Sequence, residues 1–249
     1  MVHFAVSVDD VLREFDVKAP VACVHLLVRT HTADFRIKRR QLIRPDIVYM
    51  ACETMRKLFM FMSTSLDGFF EGLNHDITWH HVDEEVKRFA IDQLRETDVI
   101  LFGRRTYQLF ENFWPRAAED PTTSKDDLEI ANLINNMNKI VFSKTLQSVE
   151  EKKNWKNVRL VSEVNPEEIN RWKQQPGRDL NVGGNNLAVS LAHSRLIDEF
   201  RIMVNPVALG KGTLLLHGMN EKLNLKLLST RTFKSGNVLL CYEPLNRSF

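Results

Sequence analysis

Two adjacent glycines, Gly183 and Gly184, stand where an apolar stretch gives way to a run with helical spacing. The apolar residues at positions 180 and 182 are typical of the end of a buried strand, and those at 187 and 191 recur one helical turn apart. The pattern therefore predicts a tight turn from a strand into a helix. The first N–H groups of such a helix have no partner within it, and together with the helix dipole they attract phosphate. Because glycine has no Cβ, a diphosphate can approach this backbone closely, although a plain tight turn is the alternative. The candidate phosphate-binding residues at this turn are Gly183, Gly184, Asn185 and Asn186.

Two further polar runs also follow predicted strands. The run 103–106 joins a flexible turn to guanidinium and hydroxyl groups, and arginine suits bidentate contact with phosphate. The run 143–145 carries two hydroxyls and an ammonium group. Ligands of open α/β sheets lie outside the carboxyl ends of the strands, so the three runs are expected to converge on one dinucleotide. NADP differs from NAD by a third phosphate, which one of these runs could bind. The alternative is that the two arginines simply lie on the exposed surface of a helix. These candidates are Gly103, Arg104, Arg105, Thr106, Ser143, Lys144 and Thr145.

The chain from Met55 onward alternates short apolar runs with amphipathic stretches. This alternation predicts a three-layer α/β domain with a mostly parallel central sheet and antiparallel edge strands from a late hairpin. The sequence contains no G-x-G-x-x-G after a strand, so the Rossmann fingerprint is absent. The predicted strands are 58–62, 99–102, 139–142, 158–161, 180–182 and 200–204, with a hairpin of 223–228 and 238–242. The predicted helices are 82–94, 128–137 and 166–174, with others starting near 104 and after 184, and residues 115–124 are predicted to form a loop.

The composition excludes several classes of protein. With 249 residues, 43% of them hydrophobic, the chain can bury one core of ordinary size and still carry an extension. A formal net charge of +2 is too close to neutrality to indicate nucleic acid or an anionic membrane surface as partner. The 3 cysteines form no C-x-x-C pair, and no apolar run approaches the roughly 18 residues of a membrane span. We therefore expect a cytoplasmic protein that acts on a small molecule.

Residues 1–54 do not share the alternating pattern. We interpret them as an N-terminal extension, either disordered or an upstream mis-start, and residues 55–249 as the α/β domain. The basic run 36–40 has no interleaved aromatic residues, so we interpret it as a solvated surface rather than a nucleic-acid patch.

Five loose motifs occur in order along the domain. They are Ser65-Leu66-Asp67-Gly68, the runs 101–107 and 141–145, Val182-Gly183-Gly184, and the run 205–212. Together they resemble the dihydrofolate reductase superfamily, specifically the bacterial branch similar to the C-terminal reductase domain of the riboflavin-biosynthesis deaminase–reductase. The resemblance extends from residue 55 to about residue 244, and it implies a dihydrofolate reductase-like sheet that binds NADPH and transfers hydride. It further implies that the glycine turn and the 103–106 turn hold the diphosphate, with residues 143–145 near the 2′-phosphate.

The resemblance also implies a carboxylate on the first helix that supports protonation of the substrate. Counting from Trp79, the similar loop tryptophan, gives Glu84, whereas counting back from Phe89 gives Glu85. Glu85 borders the apolar face of the predicted helix and Glu84 projects away from it, so Glu85 is preferred. Its apolar surroundings would raise its pKa, as a proton donor requires. The alternative is an acidic run that only favours the helix N-terminus.

The remaining candidates are fewer. Asp67 is a second catalytic candidate, which either caps its own turn or touches the substrate. Trp79 and Phe89 are the candidate substrate-binding residues. His80 and His81 have no third ligand at metal spacing, so no metal site is predicted.

These expectations describe an NADPH-dependent reductase of a small heterocyclic or carbonyl substrate. A pterin-like ring and the ribosylaminopyrimidine 5-amino-6-(5-phosphoribosylamino)uracil are both candidate substrates. Residues 1–54 lack the zinc signature of a deaminase, which weakens a full role in riboflavin biosynthesis. The alternative is a non-catalytic NADP-binding or regulatory protein of the same fold. The apolar late strands 200–204 and 238–240 resemble strands through which similar domains pair, and they predict a homodimer.

Overall fold

The computed structural model describes residues 55–245. The predicted extension, residues 1–54, lies outside the described residues, as do residues 246–249. The strands are β1 (Leu58–Thr64), β2 (Phe69–Glu71), β3 (Thr97–Gly103), β4 (Asn138–Phe142), β5 (Val158–Val161), β6 (Asp179–Gly183), β7 (Glu199–Val204), β8 (Thr213–Leu214), β9 (Leu225–Thr232) and β10 (Val238–Pro244). The helices are α1 (Glu84–Arg95), α2 (Arg104–Ala117), α3 (Lys125–Asn136), α4 (Pro166–Gln174) and α5 (Asn185–His193), with a short 3-10 turn at Leu73–His75.

The main sheet has 8 strands in the order β5-β4-β3-β6-β1-β7-β10-β9. In the middle, β1 runs parallel to β6 on one side and to β7 on the other, with Met60 opposite both Val182 and Phe200. The strands from β5 to β7 in this order are all parallel, whereas β10 is antiparallel to β7 and to β9. The predicted parallel sheet with antiparallel strands at one edge is confirmed. Its topology brings the carboxyl ends of the parallel strands to one edge, the carboxyl edge.

Helices cover both faces of this sheet. Successive strand residues point to opposite faces, so apolar strands such as β1 and β3 supply side chains to two cores. On one face α4 and α5 pack against β1 and β6; the contributors include Leu58, Met60, Ile169, Leu180, Leu187 and Leu191. On the other face α1, α2 and α3 pack against β3 and β4; the contributors include Ile91, Ile100, Phe102, Tyr107, Ile130 and Val141. The domain therefore has three layers, as the alternating sequence predicts.

Several predicted helix boundaries are wrong. Val82 precedes α1 and is exposed, because the Asp83 carboxylate accepts a hydrogen bond from Val86 N (2.8 Å) and starts the helix after itself. Ser124 caps α3 in the same way, so the helix begins at Lys125, three residues before the predicted start. Helix α2 continues through Pro115 to Ala117, inside the predicted loop. Proline has no N–H and so cannot donate to the Glu111 carbonyl, and the helix ends two residues after it.

The strands that the sequence selects for dimerisation do not lie at an edge. Strand β7 is paired on both sides by β1 and β10, and β10 by β7 and β9. The outer strand is β9, whose residues are exposed from Lys226 to Thr232. The sequence does not show which apolar strand lies at the edge of the sheet, because strands that pair come from distant parts of the chain.

The opposite edge of the sheet, at the amino ends of the parallel strands, contains a buried lysine. Lys139 Nζ donates to the backbone oxygens of Asn135 (2.9 Å), Met137 (2.7 Å) and Lys156 (3.0 Å). It also lies 4.4 Å from the centre of the Trp155 ring. The Asn135 and Met137 carbonyls lie at the C-terminal end of α3, where the helix itself supplies no N–H partner. The lysine therefore satisfies these acceptors. Burial lowers the pKa of Lys139 to about 7.

The lowered pKa makes stability depend on pH in a predictable direction. In the unfolded chain this amine keeps its proton up to its ordinary pKa of 10.5, whereas in the folded chain it loses the proton near pH 7. Between these values the unfolded state binds more protons, so the Lys139 contribution to the free energy of unfolding rises with pH. Lys139→Met removes this contribution, and we expect a smaller rise in stability between pH 7 and pH 9.5 in urea titrations. The control is Lys153→Met, whose side chain is 86% exposed. Equal pH slopes for Lys139→Met and the wild type would contradict the prediction.

Candidate functional site

The three polar runs that the sequence singles out meet at the carboxyl edge. They directly follow β3, β4 and β6, which are neighbours in the sheet and parallel. Two contacts join them. Arg104 Nη1 donates to Thr145 Oγ1 (2.8 Å), and Thr106 lies against the backbone of Gly184. The predicted convergence of these loops is thus present in the fold.

The glycine turn is required by packing as well as by any ligand. Gly184 has φ +102°, a conformation that favours glycine, and a Cβ built on it would overlap Thr106 Oγ1. A Cβ on Gly183 would lie 2.8 Å from Phe102 Cδ1. Both glycines therefore allow the end of β6 to approach β3 and the first turn of α2. The sequence interpretation assigned this freedom to the approach of a diphosphate, whereas the structure shows a neighbouring side chain at the Cβ position of Gly184.

The N-termini of α2 and α5 differ from those of the other helices in the described chain. Helices α1, α3 and α4 begin with Asp83, Ser124 and Asn165, whose side chains accept from backbone N–H groups, and each has two acidic residues in its first turn. Helices α2 and α5 begin instead at Gly103 and Gly184, with no side-chain cap and no acidic residue in the first turn. Their N–H groups and positive dipole ends remain available to an external anion.

The run after β4 is partly used by its own turn. Ser143 Oγ accepts from the N–H groups of Thr145 (3.2 Å) and Leu146 (3.0 Å), so this hydroxyl shapes the loop. Lys144 is exposed, with its ammonium 3.6 Å from a Glu163 carboxylate oxygen. Arg104 reaches across from α2 to Thr145, which places a guanidinium group beside this loop. Together with Arg104 from the run after β3, Lys144 and Thr145 supply the cationic and hydroxyl groups around this loop.

Arg105 points to a different partner that the sequence does not indicate. Its Nη2 contacts His75 Nε2, and His75 Nδ1 lies 3.0 Å from a Glu71 carboxylate oxygen. The same Glu71 oxygen accepts a hydrogen bond from Thr213 Oγ1 (2.8 Å). These residues connect the small β2–β8 pair to the start of α2 across the carboxyl edge. Sequence reasoning missed Glu71 and His75, because the contact joins loops far apart in the chain.

Asp67 holds two loops together. Its carboxylate accepts from Ser65 Oγ (2.6 Å), Gly210 N (2.7 Å) and Leu209 N (3.0 Å). These hydrogen bonds, that of Ser65 foremost, lower the pKa of Asp67 to about 2. A carboxylate with this pKa is ionised at neutral pH and is a poor proton donor. Its bonds extend beyond its own turn to the loop after β7, which neither sequence interpretation of Asp67 included.

The pKa predicted for Glu85 is wrong. The carboxylate accepts from Lys234 N (3.1 Å) and from Arg231 Nη2 (3.0 Å), and these bonds, the Lys234 N–H first, lower its pKa. Glu85 faces the turn between β9 and β10 rather than an apolar pocket. The error has a physical cause: helical periodicity gives the direction of a side chain, but the hairpin that meets it comes from about 146 residues later. Glu84, the alternative from the other count, is exposed on the first turn of α1.

The two candidate substrate-binding aromatics lie in different surroundings. Trp79 Nε1 donates to Asp76 O (2.9 Å), and its ring meets the His80 ring edge-on, with centroids 4.4 Å apart. Phe89 packs between Phe61 and Phe233, each with centroids 5.7 Å away. Phe89 thus belongs to an aromatic cluster between α1 and the sheet.

The Nε2 atom of His80 is buried without a hydrogen-bond partner among residues 55–245. Burial lowers the pKa of His80 below its ordinary value, which favours the neutral ring. Its neighbour His81 is fixed by a hydrogen bond from its backbone N to Asn205 Oδ1 (2.9 Å), at the end of β7. The segment around His80 is therefore held against the carboxyl edge.

Within residues 55–245 no three His, Cys, Asp or Glu side chains are grouped so as to hold a metal ion. None of the helices described there has the length and apolar character needed to cross a bilayer. An open cavity of about 550 Å³ lies between the end of α1 and α3, lined by residues such as Leu94, Asp98 and Arg178. It is at the amino ends of β3 and β4, so it is separate from the loops described above.

Comparison with known proteins agrees with this geometry. The RibD C-terminal domain family matches residues 56–239 of the chain. The YyaP protein of Bacillus subtilis is 34% identical over 189 residues, which are 76% of this chain and 95% of YyaP.

Solved structures share the fold at lower identity. A diaminohydroxyphosphoribosylaminopyrimidine deaminase/5-amino-6-(5-phosphoribosylamino)uracil reductase from Thermotoga maritima superposes with a TM-score of 0.54 and 14% identity, covering 79% of this chain and 59% of that protein. Dihydrofolate reductase from Enterococcus faecalis superposes with a TM-score of 0.50 and 13% identity, over 76% of this chain and 97% of the reductase. The fold is thus that of the dihydrofolate reductase superfamily, and the chain belongs to the RibD C-terminal domain family.

Proposed function

We propose that this protein is an NADPH-dependent reductase of a small heterocyclic or carbonyl substrate. The observation that carries the proposal is the pair of uncapped helix N-termini, α2 and α5, which meet where Thr106 lies against Gly184. Two positive helix ends side by side, without acidic residues, suit the two phosphates of a dinucleotide. The family membership and the reductase folds of its structural neighbours support the same proposal.

The residues present fit the cofactor in chemistry. The backbone N–H groups that open α2 and α5 would bind the diphosphate. In the first turn of α5, Asn186 is exposed, whereas Asn185 is buried and its Oδ1 accepts from Leu216 N (2.6 Å). Arg104, Lys144 and Thr145 would bind the 2′-phosphate through charge-assisted hydrogen bonds. When bound, the reduced nicotinamide supplies a hydride to the substrate.

The loops after β1 and β7 would form the substrate side. Asp67 ties these loops together by accepting from Leu209 N and Gly210 N, so it positions them rather than moving a proton. Asn205 joins them further, since its Nδ2 donates to Thr64 O (3.2 Å) and its Oδ1 accepts from His81 N. Such fixed loops orient a bound substrate before reaction.

A specific observation favours a second candidate function, a non-catalytic NADP-binding protein. Both carboxylates that the sequence nominates, Asp67 and Glu85, have lowered pKa values and fully engaged oxygens. Both candidate functions require NADPH binding, but only the reductase oxidises NADPH. The experiment is NADPH binding by calorimetry together with NADPH oxidation in the presence of pterins, pyrimidine ribosides and quinones. The uracil derivative named for the Thermotoga relative is the first pyrimidine to test.

The proposed 2′-phosphate site predicts a cofactor preference. Arg104→Gln and Lys144→Gln should each weaken NADPH binding by about tenfold or more, because a charge-assisted bond contributes roughly 1.5–3 kcal/mol. Neither change should alter the affinity for NADH, which lacks the third phosphate. The control Lys153→Gln alters an exposed lysine elsewhere and should leave both affinities unchanged. Equal affinities of the wild-type protein for NADPH and NADH by calorimetry would remove this assignment.

The Gly184–Thr106 approach predicts coupling between two substitutions. Gly184→Ala should lower the free energy of unfolding by about 2 kcal/mol or more, because the new Cβ meets Thr106 Oγ1 at a left-handed φ. Thr106→Ala removes that oxygen, so the double variant should recover at least about 1 kcal/mol relative to the sum of the single changes. Urea titrations of the four proteins measure this coupling.

The double variant also tests the cofactor site. It retains a methyl group at residue 184 and relieves the overlap with Thr106 Oγ1. If the α5 N-terminus binds the diphosphate, this methyl group should still weaken NADPH binding. Normal NADPH affinity in the folded double variant would show that the glycine serves packing alone.

We also propose a homodimer that forms through the outer strand β9. Leu227 and Leu228 are exposed on this strand, and its outer side has no strand partner among residues 55–245. Light scattering at micromolar concentration should report about twice the chain mass of 28.9 kDa. Leu227→Asp should shift the protein toward the monomer, whereas Leu245→Asp, at an exposed residue beyond β10, should not. A wild-type monomer would refute the proposal.

A further inference from the structure

A carboxylate, that of Glu163, lies beside the proposed 2′-phosphate site. Strands β4 and β5 are parallel neighbours, so the loops that follow them lie side by side. Ser143 N donates to Val161 O (2.9 Å), which ties the run 143–145 to the last residue of β5. Glu163 follows two residues later, and its carboxylate oxygen lies 3.6 Å from Lys144 Nζ. Lys144 therefore has an anionic partner within the protein at the place proposed for the phosphate.

The ion pair between Lys144 and Glu163 is exposed and loosely held. The Lys144 side chain is 77% exposed and the Glu163 side chain 71% exposed. Their 3.6 Å separation exceeds the roughly 2.7–2.9 Å of a charge-assisted hydrogen bond. By contrast, Arg159 of β5 donates to Glu168 Oε1 at 2.9 Å, and the Glu168 side chain is only 22% exposed. Because an exposed and long ion pair is weak, a phosphate can displace the Glu163 carboxylate from the ammonium group.

Glu163 also changes the charge that an incoming phosphate meets. Arg104 Nη1 donates to Thr145 Oγ1, a neutral partner, so this contact leaves the guanidinium charge uncompensated. The charges of Arg104 and Lys144 attract a 2′-phosphate, whereas the charge of Glu163 repels it and occupies Lys144. A ribose 2′-hydroxyl is uncharged, so the same carboxylate disfavours it far less. Because specificity is a difference between two affinities, a group that disfavours one ligand helps to set the preference.

We infer that Glu163 is a specificity-determining residue of the proposed reductase, which competes with the 2′-phosphate for Lys144 and thereby narrows the preference for NADPH over NADH. The inference rests on the proposed function, in which Arg104, Lys144 and Thr145 bind that phosphate. It assigns opposite effects to the two partners of one ion pair. Loss of the Lys144 charge weakens NADPH binding, whereas loss of the Glu163 charge strengthens it.

The test compares the two cofactors by calorimetry with the full-length protein. Glu163→Gln should strengthen NADPH binding by about threefold, because it releases Lys144 from a weak ion pair, and should leave NADH binding unchanged. Glu163→Asp keeps the charge and should retain most of the wild-type ratio of the two dissociation constants. The matched control is Glu119→Gln, which removes the carboxylate of another exposed ion pair, 3.7 Å from Lys153 Nζ and beyond the end of α2. This control should leave both dissociation constants unchanged.

Salt concentration provides a second readout that a structural role of Glu163 would not give. The gain in NADPH affinity from Glu163→Gln should shrink between about 0.05 M and about 0.5 M potassium chloride, because salt screens exposed charges. An unchanged ratio of the two dissociation constants in Glu163→Gln, an equal rise of this ratio in Glu119→Gln, or a gain that salt does not reduce overturns the inference.

The outcomes also separate this inference from the proposed function. A wild-type protein that binds and oxidises NADPH, with no change of cofactor preference in Glu163→Gln, overturns the role of Glu163 alone. Weaker NADPH binding in Glu163→Gln together with a lower melting temperature would show that the ion pair supports the loop, and it also overturns the inference. Failure of the wild-type protein to bind NADPH refutes the proposed function, and the inference with it.

Discussion

The close approach of the β6 end to the first turn of α2 organises the carboxyl edge. Thr106 occupies the space where a side chain at residue 184 would begin, and Gly184 adopts φ +102° to pass it. This single contact brings the starts of α2 and α5 together, so two helix dipoles point their positive ends at one region. A larger residue in place of either glycine would push the helices apart or strain the turn. The meeting of two uncapped helix N-termini at this edge thus depends on a packing constraint.

The helices differ in whether the charge at their N-terminus is neutralised by side chains of the protein. Three helices begin with a polar cap and acidic residues, which neutralise their dipoles within the protein. The two that begin at glycines have neither a side-chain cap nor an acidic residue in the first turn. Nearby carboxylates serve as acceptors instead: Asp67 binds the loop after β7, and Glu85 binds the β9–β10 turn. Both hydrogen-bonding arrangements favour the ionised form, so these residues stabilise geometry at neutral pH.

The two edges of the sheet differ in whether their polar groups have partners within the protein. At the amino edge, buried charges are satisfied within the protein, as Lys139 is by three carbonyls and Arg56 by Asp98 and Arg178 O. At the carboxyl edge, the first N–H groups of α2 and α5 have no side-chain acceptor. Parallel strands create this division because all their carboxyl ends, and the loops that follow them, lie together.

The sequence by itself determined the fold class, the order of most strands and helices, and the three runs that meet at the carboxyl edge. These follow from local information: apolar periodicity, glycine turns, and the rule that parallel strands end together. Even the uncapped helix starts are visible in the sequence, as glycines where other helices have Asp, Ser or Asn. Only the tertiary structure decided the environments of individual side chains. Glu85 hydrogen-bonds to the β9–β10 turn, and Asp67 hydrogen-bonds to the loop after β7. Arg105 contacts His75, which follows β2, and β7 pairs with a strand on each side. Each of these depends on a contact between segments distant in the chain, and pKa, exposure and pairing are set by such neighbours rather than by local pattern.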